Sequence, residues 1–170
     1  MNTPIFIIAE AGVNHTGSAD MAEDLVRAAA MSGADAVKFQ TFRTEDIVTR
    51  SAQKAVYQKK TTGSNESQFG MLKKLELSQR THYRLIDRCE EEGIQFLSTA
   101  FDLQSLHFLA DILRLPLLKI PSGEITNGPL LLAYAQTGCS LILSTGMANL
   151  EEVRDALSVL AFGMISNGES

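Results

Sequence analysis

Short apolar runs alternate along this chain with longer stretches in which apolar residues recur at helical spacing. The first run, Ile5–Glu10 (IFIIAE), precedes a helix with Ser18 as its N-cap and Gly33 just past its end. Asp35–Thr41 is the second run. A second clear helix starts at a Ser78 cap, turns Leu85, Ile86 and Cys89 inward, and stops at Gly93. Gln95–Ala100 (QFLSTA) predicts a third strand, Leu103–Leu113 a helix, and Leu117–Pro121 a fourth strand. Pro129–Gln136 reads as a helix ended by Gly138, and Leu141–Thr145 as a fifth strand. The last helix begins at Asn149, with Glu152 three residues on as in a capping box. It turns Val153, Ala156, Leu157 and Leu160 inward. Between Phe42 and Leu77 the alternation lapses around the polar Lys59–Gln68 (KKTTGSNESQ). That span predicts a long loop over an active face, with a helical piece near Phe69–Leu75; a plain surface insertion fits the pattern as well.

Repeated β/α units build parallel sheets covered by helices, so the fold class is α/β. An open doubly wound sheet and a (β/α)8 TIM-type barrel both fit. No G-x-G-x-x-G follows the first strand, which weakens the dinucleotide-binding version. Polar residues gather where the strands end: Glu10; Lys38 and Gln40; Ser98 and Thr99; Lys119 and Ser122; Ser144 and Thr145. Barrel enzymes place their chemistry at that end, and the barrel is the favoured reading. About five β/α units are legible where a closed barrel has eight, so residues 1–170 read as an incomplete barrel, the N-terminal part of one.

Lys38 sits in the middle of the apolar AVKFQT, and Lys119 interrupts LLKIPS in the same way. An ammonium buried without a partner costs several kcal/mol or gives up its proton. Side chains alternate along a strand, so Val37 and Phe39 face one way, toward the helices, and Lys38 and Gln40 the other. In a barrel, Lys38 and Lys119 would converge near the mouth, where an anion is their natural partner. Snorkelling or buried ion pairs are the bland alternative. Ser122 and Gly123 in IPSGEITNGP, and Ser144, Thr145 and Gly146 in LSTGM, add hydroxyls and glycine ahead of helix starts, which suits phosphate. Glu10 could neutralise the lysines, act as acid or base, or hold sugar hydroxyls. Asn14 and His15 follow it; a lone histidine is more often structural, and His82 and His107 look peripheral on their helices.

The totals narrow the setting. Apolar residues make up 45% and charged residues 21%, an ordinary globular balance. The net charge of −5 leaves no basic footprint for nucleic acid. No apolar run approaches a membrane span, and the N-terminus lacks a signal-peptide pattern. Cys89 and Cys139 share no metal-like spacing and read as free buried thiols, consistent with a cytoplasmic location. No cluster of His, Asp and Glu reads as a complete metal site.

IIAEAGVNHTGS, GADAVKFQTF, FLSTAFD, LLKIPSGEITNGPLL and LILSTGMANLEEV occur in the order seen in the sialic acid synthase family. The sequence therefore resembles N-acetylneuraminate synthase and related nonulosonic acid synthases from Ile5 to about Gly163. The resemblance implies a (β/α)8 barrel that condenses phosphoenolpyruvate with an N-acyl hexosamine, such as N-acetylmannosamine, and releases phosphate. It implies a divalent metal, manganese or magnesium. Lys38, Lys119, Ser122 and Ser144 match the positions that hold phosphoenolpyruvate. Glu10 matches the acidic position facing the sugar and the new C–C bond, Gln40 a sugar-side position, and Glu124 the acid of the SGE motif. Asn65, in the long loop, matches a sugar contact loosely.

In the family the metal-binding histidines, the later strands and a small antifreeze-like domain that reaches across a homodimer come after these segments. None of them is in this sequence, so the resemblance implies that these 170 residues alone are inactive or nearly so. Two alternatives stay open: a non-catalytic half-barrel that binds phosphate or phosphoenolpyruvate, and a Schiff-base lysine aldolase on a related barrel.

Overall fold

A computed structural model describes residues 5–52 and 67–168. Asn65 and most of the polar stretch around it lie outside these described residues. By internal contact the chain divides into two units, one up to Phe96 and one from Leu97.

In the first unit, β1 (Ile8–Gly12) pairs in parallel with β2 (Ala36–Thr41). α1 (Ala19–Met31) lies between them in sequence. The Ser18 hydroxyl accepts the Met21 N–H at its start, and Gly33 turns the chain at φ +78° beyond its end. Ala22, Val26 and Ala29 form its buried stripe. Two short helices occur in the described parts of the Phe42–Leu77 span: α3 (Gln68–Lys73) is the helical piece expected near Phe69–Leu75, whereas α2 (Thr44–Ile47) falls where only loop was expected. α4 (Gln79–Glu92) runs from the expected Ser78 cap to the left-handed Gly93. Arg84 pairs with Asp20 and Glu23, and Arg88 with Glu23, linking α4 to α1. Ion pairs at or near the surface contribute little singly.

Two expectations change here. β1 begins at Ile8 rather than Ile5, and Ile5, Phe6 and Ile7 are exposed. The Asp35 carboxylate accepts the Ile7 N–H at 2.6 Å, while the Ile7 carbonyl still accepts the backbone N–H groups of Asp35 and Ala36. His82 is not peripheral but buried among apolar residues of this unit, edge-on to Phe96, which stacks on Phe39 at 5.8 Å between ring centroids. Its Nδ1 donates to the Ser78 carbonyl (2.9 Å), and its Nε2 accepts from the Thr41 hydroxyl (2.8 Å). Both ring nitrogens are satisfied, which makes burial tolerable.

β3 (Gln95–Ala100) crosses the division. In the second unit it pairs in parallel with β4 (Leu117–Ile120), which pairs in parallel with β5 (Ser140–Leu143). α5 (Leu103–His107) starts at an Asp102 cap and widens into a π-helical turn over Phe108–Ile112, within the helix expected there. α6 (Gly128–Gln136) carries Leu130, Leu131, Tyr134 and Ala135 inward. α7 (Leu150–Gly168) buries Ala156, Leu160 and Gly163. Leu157, expected inward, is 54% exposed. The cause is Gly163: a Cβ there would stand 2.6 Å from the Ala135 Cβ, so α6 and α7 touch along the line through Gly163. That line passes through Ala156 and Leu160 and leaves Leu157 about 100° round the helix. Cys89 is buried as expected, whereas Cys139 is half-buried with its Sγ on the Leu115 carbonyl.

The strand–helix alternation and the parallel pairing in each unit are those of the expected α/β class, in the form of an incomplete β/α barrel. No helix of the described residues is long and apolar enough to cross a membrane.

Candidate active site

The end of β1 is built to aim a carboxylate. Glu10 pairs in register with Lys38, but the next pair is Gly12 with Phe39, so Ala11 is an extra residue. This bulge bends the strand and re-aims the side chain before it. Gly12 has φ +54°, and a Cβ there would meet Glu10 Oε1 at 3.1 Å and Gln40 Nε2 at 3.8 Å. Glycine supplies the left-handed turn and the room. The result brings three candidate residues together: Glu10 Oε2 stands 2.6 Å from Lys38 Nζ, and Gln40 reaches the same spot over Gly12.

The pair is unequal. The Lys38 side chain is 11% exposed, and that of Glu10 is 55% exposed. The lysine is committed to the interior by AVKFQT, while the carboxylate remains open to solvent. An arriving anion could replace Glu10 at Lys38 without stranding a buried charge.

In the second unit, Lys119 is half-buried, less enclosed than the apolar run around it suggested. Its Nζ donates to the Ile120 carbonyl at 2.8 Å, and the Ser144 N–H donates to the same oxygen at 3.1 Å. One backbone acceptor thus joins Lys119 and Ser144. Ser122 opens a 3-10 turn that runs to Glu124. The Glu124 carboxylate accepts from Asn127 Nδ2 at 2.8 Å, and Asn127 caps α6 through the Leu130 N–H. The expected box at Asn149 forms: its Oδ1 takes the Glu151 and Glu152 N–H groups, and Glu152 returns to its N–H. These N–H groups at the start of α7 are therefore held within the helix, and the hydroxyls of Ser144 and Thr145 precede it by several residues.

Sequence reasoning left two residues of this unit out of the site. Thr99 stands beside Lys119 in the β3–β4 register, and its Oγ1 is buried without a hydrogen-bond partner. Paired residues of parallel strands share a face, so a buried hydroxyl without a hydrogen-bond partner lies next to Lys119. Its place in FLSTA was visible; its lack of a partner was not. Tyr134 is the other. Its hydroxyl accepts the Ala100 N–H (2.9 Å) and donates to the Ala100 carbonyl (2.8 Å), with the Lys119 carbonyl 3.1 Å away. From α6 it fixes the ends of the two strands that carry Thr99 and Lys119. Burial pushes its phenol pKa up, so it remains a donor.

Burial also lowers the pKa of His15 and His82 and raises that of Cys89 to about 12, so Cys89 is a poor nucleophile. Among the described residues no group of three or more His, Cys, Asp or Glu could hold a metal ion. A cavity of about 150 Å³ in the second unit is lined by Ile125, Thr126, Leu131, Glu152, Asp155 and Val159, none of them a candidate above.

The sequence profile of the NeuB family matches residues 25–169. The chain is 52% identical over 155 residues to N,N'-diacetyllegionaminic acid synthase of Legionella pneumophila, covering 91% of this chain and 43% of that protein. It is 33% identical over 158 residues to human N-acetylneuraminate-9-phosphate synthase, covering 92% and 43%. Its structure is similar to the N-acetylneuraminic acid (sialic acid) synthetase of Leptospira borgpetersenii, solved with citrate. The TM-score is 0.79 at 32% identity, over 95% of this chain and 52% of that one. A truncated 3-deoxy-D-arabino-heptulosonate 7-phosphate synthase of Thermotoga maritima shares the fold at TM-score 0.60 and 14% identity. The chain spans less than half the length of the curated relatives it matches.

Proposed function

This chain belongs to the NeuB family, as the N-terminal portion of a nonulosonic acid synthase, and from that premise we propose that it serves the condensation of phosphoenolpyruvate with an N-acyl hexosamine. The observation that carries the reading is the Glu10–Lys38 pair: a nearly buried ammonium whose carboxylate partner stands in solvent at a bulged strand end. A fixed cation with a displaceable counter-ion suits a small polyanion.

The assigned roles follow the chemistry. Lys38, Lys119, Ser122 and Ser144 are assigned to the phosphate and carboxylate of phosphoenolpyruvate, and we add Thr99 for its unpaired hydroxyl. C3 of phosphoenolpyruvate attacks the aldehyde carbon of the open-chain sugar, and the carbonyl oxygen takes a proton. Positive charge develops at C2, where water adds and loses a proton. The tetrahedral centre then collapses to a ketone as its C–O bond to phosphate breaks. Lysines and hydroxyls fixed beforehand stabilise these charges without reorganising. Glu10 is assigned the proton transfer at the sugar's carbonyl oxygen, and Gln40, Asn65 and Glu124 the sugar side.

A divalent metal, manganese or magnesium, belongs to the proposal as a Lewis acid, but the described residues do not form its site, and no step above is routed through it. For residues 1–170 alone we propose binding of phosphoenolpyruvate without turnover. A cytoplasmic location and a homodimer belong to the same proposal. The test is phosphate release by the intact protein. Release that needs phosphoenolpyruvate, the N-acyl hexosamine and metal together is expected. Binding without release under all conditions would favour a non-catalytic module, and a borohydride-trapped lysine adduct a Schiff-base aldolase.

A further inference from the structure

The turn after β1 is held in a costly conformation by one buried side chain. Thr16 has φ +50°, a left-handed backbone that a β-branched residue rarely adopts. Gly17 follows at φ +87°, and a Cβ there would meet the Lys74 carbonyl oxygen at 2.1 Å. Each step of the turn is closed: Asn14 N–H to the Ala11 carbonyl, Thr16 N–H to that of Val13, and Ser18 N–H to that of His15. At its centre His15 is fully buried, its ring 6.3 Å from that of Phe39. Phe39 is on the face of β2 opposite Lys38 and Gln40, so His15 reaches behind the strand that bears them.

The His15 hydrogen bonds define its state. Nδ1 accepts the Gly17 N–H at 3.0 Å, so the neutral ring carries its proton on Nε2. Nε2 is buried with no hydrogen-bond partner. A left-handed threonine and an unpaired buried N–H together oppose folding. A histidine used for packing alone could be replaced by an apolar ring without the second cost. What the ring does supply is the acceptor for Gly17, which fixes the turn between Glu10 and α1.

We propose that His15 is a positioning residue: by pinning the Gly12–Gly17 turn behind β2, it holds Glu10 in the geometry that meets Lys38. The inference rests on the role assigned to Glu10 above. His15 touches no substrate; it acts through the backbone of the turn. Loss of the Nδ1 acceptor frees the Gly17 N–H and lets the turn relax, and Glu10 drifts from a fixed Lys38.

The test compares His15→Phe, which keeps a buried ring but removes the acceptor, with His15→Asn, whose Oδ1 can accept from Gly17. Both are made in the intact protein, with Glu10→Gln as the reference. His15→Phe is expected to lower kcat at least 10-fold with no rise in the KM for phosphoenolpyruvate, and His15→Asn to restore most of that loss. Equal kcat in the two variants, or a loss that follows only a raised KM, overturns the inference. If Glu10→Gln leaves kcat unchanged, the reading of Glu10 fails and the inference with it. If Glu10→Gln is slow while His15→Phe is fast, the inference alone fails. Should His15→Phe not fold, long-range 1H–15N correlation on the unaltered protein decides. An Nε2–H tautomer for His15 is expected, and an Nδ1–H tautomer overturns the proposal.

Discussion

Replacing Glu10 with glutamine should tighten phosphoenolpyruvate binding while slowing the reaction. The Lys38 ammonium and the Glu10 carboxylate touch at 2.6 Å, N to O. Two unit charges about 4 Å apart attract by roughly 1 kcal/mol in water and about 4 kcal/mol at an effective dielectric of 20. The Glu10 side chain is 55% exposed, which places the pair near the watery limit, at about 1 kcal/mol. An anion that binds Lys38 must displace that carboxylate, so Glu10→Gln should strengthen binding about 5-fold. The gain should shrink as salt screens the charge. Turnover should fall by about 100-fold or more, the usual scale for a missing general acid or base. Lys38 loses its counter-ion, and stability should drop by about 1 kcal/mol at most. Titration calorimetry with phosphoenolpyruvate at two salt concentrations, beside steady-state kinetics, reads each part. A 10-fold weaker affinity, or an unchanged kcat, would refute the reasoning about this pair.

Tyr134→Phe leaves the buried Ala100 N–H and carbonyl without their side-chain partner. It should cost about 1–3 kcal/mol in chemical denaturation, and no loss would deny that the phenol fixes the β3 and β4 ends. Gly163→Val puts atoms where the Ala135 Cβ and the Leu132 side chain already are, and should cost about 1–3 kcal/mol of stability by overpacking. Cys89 binds its proton more tightly folded, up to about pH 12, than the unfolded thiol, which ionises near the usual value of about 8.5. Stability should therefore fall as pH rises above about 9, and Cys89→Ala should flatten that limb of a melting-temperature profile. His82 has the opposite sign in pH: its folded pKa is lowered, so the unfolded state takes up the proton first. Stability should fall as pH drops below about 6.5, and less so in His82→Gln.

Much of this was written in the sequence. Ser18, Ser78, Gly33 and Gly93 mark helix ends by local chemistry, and local chemistry does not depend on the rest of the fold. AVKFQT and LLKIPS announced their lysines because an ammonium inside an apolar run demands an explanation. The pairing of Lys38 with Glu10 was one of several open readings, and the bulge at Ala11 that aims it depends on strand register, which period-2 alternation alone does not reveal. His82 read as peripheral because a helical pattern does not show that Thr41 and the Ser78 carbonyl satisfy both ring nitrogens. Leu157 failed for a packing reason: the line of closest helix approach is set by Gly163, which has no hydrophobic signal. Thr99 was legible only as one strand-end hydroxyl among several, and Tyr134 not at all, until their hydroxyls could be traced, one to no partner and the other to strand backbones.

The most direct test of the proposed reaction uses phosphoenolpyruvate labelled with 18O in the oxygen that bridges C2 and phosphorus, incubated with the intact protein, metal and an N-acyl hexosamine. Cleavage of the C–O bond sends the label into the released phosphate, and recovery of 18O-phosphate in an amount equal to the nonulosonic acid formed is expected. Label retained in the organic product, or phosphate released without the sugar, would contradict the proposed condensation.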